Sequence, residues 1–416
     1  MLPRAPARVR TTNTLQRELH EPEYGILVAI VSLAAIGILM VYSSSAMKAY
    51  LQRDDTFAIV GPQIGWAALG VVAMLVMSRV DYRRLRLVAV PLYGIGIAAL
   101  VLVLIADFNV VVGGSARWLK IGPLPAVHPA EFMKLGLVVY LAQWFDVRGT
   151  AIRGFRTGIV PFLVIVVPVL ALILREPDLG TTSVIAMTAL LLLFLARARL
   201  RHIGLLTASA VPVVLFYLQN YQINRIAAWL DPWHTQGDIG YQSVQGFLAL
   251  ALGGVTGAGL GESRMAGGLF LPNAANDFIF AIIGEEFGLL GAGLVIVLFL
   301  AFAFLGIRTA LGAPDTFGAL LAAGVTTWIC VQAFINIAVV VGLIPVTGIP
   351  LPFVSAGGSS LVISFAAVGI LLSVSRETVE KGTWNDAPAD RGRGHGRAHL
   401  PGPRRRPIAP RTTRRA

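Results

Sequence analysis

Long apolar runs, each broken by a short polar cluster, recur along most of this 416-residue chain. A run of about 20 residues is enough for a helix to cross a hydrocarbon core of ~30 Å. The pattern predicts ten spans, over residues 24–45, 57–78, 87–106, 129–145, 157–174, 180–196, 203–218, 278–304, 317–341 and 359–375. The fourth and sixth are short, which predicts tilted or broken helices. The expected fold class is an all-α polytopic membrane protein: a tail over 1–23, a membrane domain over 24–375 and a second tail over 376–416. The first apolar run is too long for the core of a cleavable secretory signal.

Composition agrees, with 56% hydrophobic and 13% charged residues, a balance that excludes a soluble globular domain. The net charge of +12 would suit nucleic acid, but topology explains the arginines, so no nucleic-acid partner is expected. With the amino terminus placed inside, 26 of the 34 Lys and Arg residues fall in inside segments and seven in outside ones, while Lys134 lies within a span. That asymmetry puts both termini in the cytoplasm. The Arg-, Gly- and Pro-rich tail is expected to be disordered and to touch anionic membrane lipids. The single cysteine, Cys330, lies in an apolar run as a packing residue. The six histidines show no metal-ligand spacing, so any bound cation is expected to be a hard one, Mg²⁺ or Mn²⁺, on oxygen ligands.

This orientation places every distinctive loop outside. The segment over 219–277 is far longer than an ordinary connection and is expected to pack on the membrane surface and carry function. At its end Asp277 stands where the loop enters a helix, with Glu285 and Glu286 two turns further in. Charge at a helix centre in the bilayer costs about 2.5–3.5 kcal/mol, so such residues need a task or a partner. In the 107–132 loop, Arg117 offers a fork suited to phosphate, and Trp118 a flat face for a sugar or for the membrane interface. Glu131 and Lys134 are three apart on the helix that Pro129 opens, so they share a face, as a structural ion pair or with Lys134 turned to a phosphate. Asp178 suits an N-cap or a second external carboxylate. The stretch GLIPVTGIPLPFVSAGGSSL predicts an irregular loop buried in protein or lining a cavity, and Ser359 and Ser360 could meet an anion at the start of the last helix.

Five ordered motifs, GGSARWL, HPAEFMKL, EPDLGTT, LPNAANDFIFAIIGEEFGLLG and GLIPVTGIPLPFVSAGGSSL, closely resemble those of the shape, elongation, division and sporulation family, the FtsW, RodA and SpoVE proteins. The resemblance covers about residues 24–375, and the YQSVQ stretch and basic tail look more like its division members. It implies a peptidoglycan glycosyltransferase that polymerises lipid II on the outer face of the bacterial cytoplasmic membrane. It also implies a class B penicillin-binding protein as partner, alongside other division or elongation proteins. By resemblance Asp277 is the catalytic residue, and Arg117 and Lys134 are functionally important. Two positions depart from the family pattern. Ala275 stands where a His is common, and Ala356 where an aromatic residue is common.

The chemistry expected is attack of a sugar hydroxyl on an anomeric carbon, with undecaprenyl diphosphate leaving and Asp277 as general base. The competing readings are a lipid II flippase and a non-catalytic division scaffold. Ionisable residues gathered at one end of the spans favour chemistry on one face over transport.

Overall fold

The computed structural model describes residues 21–105, 109–112, 115–120, 122, 126–217, 220–237 and 240–377. Most of the tail expected over 1–23, the basic tail beyond 377, and Gly113 and Gly114 of the GGSARW motif lie outside the described residues. The helices are α1 (Tyr24–Arg53), α2 (Val60–Arg79), α3 (Leu85–Val103), α4 (Pro129–Arg148), α5 (Val160–Arg175), α6 (Leu179–Leu195), α7 (Leu200–Tyr217), α8 (Asn220–Leu230), α9 (Tyr241–Gly253), α10 (Arg264–Gly267), α11 (Ile279–Gly312), α12 (Thr316–Val340) and α13 (Gly358–Ser375). A hairpin of β1 (Asn109–Val112) and β2 (Ser115–Leu119) stands between α3 and α4.

Every predicted span overlaps a helix. Seven helical stretches among the described residues are long and apolar enough to cross a membrane, and the apolar helix Leu179–Leu195 is shorter. α1 and α11 outrun their apolar windows because nothing in the following polar residues breaks them. α1 stops only at Asp54, whose backbone turns left-handed at φ 54°.

Helices in lipid have little hydrophobic drive to associate, so close packing of small residues matters. A Cβ on Gly70 of α2 would lie 2.5 Å from the Phe365 ring of α13, and one on Gly369 only 2.4 Å from the Met74 carbonyl oxygen. Gly324 of α12 likewise faces Val138 and Leu192, which lets α12 sit against both α4 and α6. α12 and α13 form the most buried part of the bundle, with Trp328, Phe317 and Phe365 at its centre.

The 219–277 segment joins the bundle through α11. Its α9 packs on α11, and the residues after α9 hydrogen-bond into a break in α11 at Gly288 (φ 64°, ψ −161°). The amides of Ala258 and Gly259 donate to the carbonyls of Glu285 and Glu286 at 2.9 and 3.0 Å, and the Leu289 amide donates to Gly254 at 3.0 Å. The Glu285 carboxylate accepts the Ser263 hydroxyl at 2.5 Å and the Arg264 amide at 2.8 Å. Glu286 accepts the Ser43 hydroxyl. The partners of these two acids are thus parts of the protein itself: Glu285 fastens the long segment to the bundle, and Glu286 ties α11 to α1.

Gly288 occupies a backbone region that is almost confined to glycine, and a Cβ there would lie 2.4 Å from the Val255 carbonyl oxygen. Gly288→Ala should therefore destabilise the protein by roughly 1–3 kcal/mol. Thermal unfolding in detergent measures this, and an unchanged midpoint would show that the α11 break is not required.

Candidate functional site

Residues 342–357 form neither helix nor strand, and Leu351–Ser355 are buried. The segment reaches α1, where a Cβ on Gly37 would lie 2.5 Å from the Phe353 carbonyl oxygen. Buried backbone without regular structure needs donors and acceptors from elsewhere. α12 supplies two of them one turn apart. Gln332 donates to the Pro350 carbonyl at 3.0 Å and Asn336 to the Ile349 carbonyl at 2.8 Å. Gln63 of α2 donates to the Ser355 carbonyl and accepts the Gly357 amide, both at 3.2 Å.

These anchors fix Asp277. The same Asn336 amide nitrogen donates its second hydrogen to the Asp277 carbonyl at 2.8 Å. The Ser355 hydroxyl donates to the Asn276 carbonyl at 2.5 Å, and the Ala356 amide donates to the Ala275 carbonyl at 2.9 Å. Asp277 thus sits just before the first turn of α11, 8% exposed, beneath the solvent-accessible Gly348. Burial pushes its carboxyl up to about 6, while its own amide, the Arg225 charge and the Gln242 side chain hold it from rising further. Arg225 in turn donates to the Val346 carbonyl at 2.8 Å.

A second cluster gathers on the other side of this segment. In the hairpin, Val110 pairs with Trp118 and Val111 with Ala116, so Arg117 is the extra residue of a bulge, a device that re-aims a side chain. Its guanidinium donates to the carbonyls of Glu176 and Pro177 at 3.1 and 2.6 Å and stands 3.9 Å from the Asp178 carboxylate. Asp178 caps α6 through the amide and hydroxyl of Thr181. Trp118 meets the His128 ring edge-on at 5.4 Å between centroids. Burial lowers the His128 pKa, outweighing the pull of Asp178 and Glu131, so at neutral pH its 3.8 Å approach to Asp178 is that of a neutral ring. The Ser359 hydroxyl accepts the His128 amide at 3.2 Å, while Ser360 turns back to the Gly357 carbonyl.

Lys134 lies deeper. Its ammonium donates to Glu131 at 2.8 Å and to the Gln332 side-chain oxygen at 2.7 Å, and rests 5.1 Å from the Trp328 ring centroid. It therefore reaches the irregular segment through Gln332. Gly180 of α6 closes the circuit, since a Cβ there would lie 2.5 Å from the Ile349 side chain and 3.0 Å from the Thr347 carbonyl oxygen. Residues 346–350 thus stand between the Arg117 cluster and Asp277.

Three residues of this circuit are given no role by the sequence. Gln332 and Asn336 stand out in the apolar run WICVQAFINIAVV only as a polar pair at helical spacing. Glu176 is buried, and neither oxygen of its carboxylate has a hydrogen-bond partner. Burial and the Asp178 charge push it up to about 8, against the pull of Arg117. Among the described residues no three His, Cys, Asp or Glu side chains converge as a metal cage.

The sequence profile of the FtsW/RodA/SpoVE cell cycle proteins matches residues 24–380. The chain belongs to this family. It is 42% identical to stage V sporulation protein E of Bacillus subtilis, over 85% of this chain and 97% of that protein. It is 39% identical to a protein named probable peptidoglycan glycosyltransferase FtsW in Geobacter metallireducens, over 88% of this chain and 97% of that one. Among solved structures it superposes on a chain of a peptidoglycan synthase complex with TM-score 0.70 and 27% identity, covering 85% of this chain and 98% of that chain. The rod shape determining protein RodA of Thermus thermophilus matches with TM-score 0.64 and 25% identity, covering 86% and 97%. The chain is thus a multi-pass membrane protein of the FtsW/RodA/SpoVE family and an enzyme of its glycosyltransferase class.

Glu176 has a measurable consequence. A carboxyl raised to about 8 from its ordinary 4.5 holds a proton in the folded protein that the unfolded chain has already lost. Stability then falls as pH rises from about 4.5 to 8 and levels off above. Glu176→Gln should flatten that part of the melting-temperature profile, and an unchanged slope would show Glu176 to be ionised in the fold.

Proposed function

We propose that this enzyme polymerises lipid II into peptidoglycan strands on the outer face of the cytoplasmic membrane, with Asp277 as its general base. The observation that carries the reading is the setting of Asp277. The carboxylate is buried and raised to about 6, beneath a solvent-accessible glycine, and its backbone is tied to α12 and to the irregular segment. A base whose pKa lies just under working pH is mostly ionised yet still takes a proton effectively.

In this reading the 4-hydroxyl of an acceptor sugar attacks the anomeric carbon of the donor. Asp277 takes the hydroxyl proton, the carbon–oxygen bond to the diphosphate breaks with inversion, and undecaprenyl diphosphate leaves as a stabilised anion. No separate acid is then needed for the leaving group. Arg117 and Lys134 contribute positive charge from fixed positions. Arg117 orients the turn at Glu176–Asp178, and Lys134 acts through Gln332 on the segment that faces the substrate. Trp118, Glu131, Asp178 and Ser359 frame the same side. Ser360 lies next along at the start of α13. A divalent cation, Mg²⁺ or Mn²⁺, would need the substrate diphosphate to complete its oxygen ligands. Its contribution would be charge neutralisation on the leaving group. The similarity to a peptidoglycan synthase complex that coordinates polymerization and crosslinking supports a class B penicillin-binding protein as the crosslinking partner.

The decisive assay mixes purified protein with lipid II, with and without a cognate class B penicillin-binding protein. Wild type should give long glycan, with a rate that rises through about pH 6 and then levels as Asp277 loses its proton. Asp277→Asn should give none while still folding and binding its partner. Substantial polymerisation by that variant would end the general-base assignment, and lipid II transport without polymerisation would favour a flippase. Asn336→Ala frees both the Asp277 and Ile349 carbonyls and should lower the turnover about 100-fold, the loss typical of a misplaced catalytic group. A wild-type rate would show that Asp277 is held well enough without it.

A further inference from the structure

At the end of the bundle opposite Asp277, the last turns of α4, α6 and α11 and the first turns of α12 surround a cavity of about 710 Å³. That volume falls within the roughly 300–1,000 Å³ usual for ligand clefts. Phe145, Ile152 and Leu320 give it apolar walls, and Arg153, Arg197 and Asp315 line it with charge.

The charges do not balance. Both oxygens of Asp315 are already committed, one to the Tyr82 hydroxyl at 2.8 Å and Arg83 at 2.9 Å, the other to the Gly318 amide at 2.8 Å and Arg86 at 3.3 Å. Burial alone would raise its pKa, but these hydrogen bonds and the Arg83 charge hold it below the ordinary value, so it is ionised and satisfied. Arg153 and Arg197 are exposed, and the side chain of neither hydrogen-bonds to or ion-pairs with another described residue. Arg197 holds a left-handed backbone at φ 64°, a position where glycine would be easier.

The missing partner is therefore an anion with an apolar portion. The chain's own tail does not fit, because residues 376–416 carry eleven basic residues against four acidic ones and would be repelled by an arginine rim. The cavity opens among the ends of membrane-spanning helices, where the available anionic amphiphiles are phospholipids. We propose that it seats the phosphate headgroup of an anionic phospholipid, with Arg153 and Arg197 as the phosphate ligands. The planar guanidinium fork matches phosphate oxygens in pairs, and Leu195 and Leu311, the exposed apolar residues of the lining, take the first methylenes of the lipid.

The test uses the full chain in detergent, titrated separately with phosphatidylglycerol, phosphatidylcholine and inorganic phosphate, with bound lipid read by native mass spectrometry and thermal midpoint. Phosphatidylglycerol should bind and raise the midpoint, and phosphatidylcholine should not. The R153Q/R197Q variant should weaken phosphatidylglycerol binding about ten-fold, equivalent to ~1.4 kcal/mol. R199Q/R201Q removes the same charge from nearby exposed positions off the cavity and should bind as wild type. R153K/R197K keeps the charge but not the fork, and should fold as wild type yet bind more weakly. Equal losses in the cavity and control variants would reduce the effect to general surface charge and overturn the site. Equal binding of the two lipids would do the same. Inorganic phosphate that saturates the site and blocks phosphatidylglycerol would make it a soluble-anion site instead.

Discussion

A stretch of irregular backbone inside a membrane bundle has to find hydrogen-bond partners within the protein, because lipid offers none. Residues 342–357 are that stretch here, and much of the candidate site follows from how they are satisfied. Gln63, Gln332 and Asn336 are polar residues in otherwise apolar helices, and all three are spent on its carbonyls and amides. Asn336 spends its second hydrogen on the carbonyl of Asp277, so the same anchor that satisfies the segment places the carboxylate. Lys134 and Glu131 lie one step behind, since the ammonium orients Gln332.

The buried acids divide on the same principle. Glu285 is fully occupied by a hydroxyl and backbone amides, which suits a carboxylate whose work is to fasten a loop. Asp277 and Glu176 are buried with less compensation, and both are pushed above the ordinary carboxylate range. For Glu176 the result is a neutral acid beside Arg117 near neutral pH. For Asp277, where Arg225 and Gln242 limit the rise, it is a group close to its own titration. Hydrogen-bond supply, rather than depth alone, separates a carboxylate that is fully satisfied from Asp277 and Glu176, which burial pushes upward.

Much of this was legible in the chain. The apolar runs place the helices, and the three-residue spacing of Glu131 and Lys134 anticipates their ion pair. Pro177 and Asp178 mark the start of α6, where Asp178 caps the first turn. Less visible was what the long segment over 219–277 would do. Gly253 and Gly257 let its backbone approach the backbone of Gly284–Glu286, a contact the sequence does not announce. Gln332 and Asn336 could be found only as polar residues in an apolar run, because their partners lie on a segment with no periodicity. Arg117 reads as a phosphate fork in isolation. The bulge that aims it at the carbonyls of Glu176 and Pro177 depends on strand register, which a short hairpin does not announce.

Ala275 and Ala356, the two departures from the family pattern, lie 81 residues apart in sequence, yet the amide of one donates to the carbonyl of the other. The two stretches are therefore joined backbone to backbone at this point. A change in the course of the backbone at either would be felt at the other. Two departures that lie far apart in the chain thus meet at a single backbone contact, two residues before Asp277.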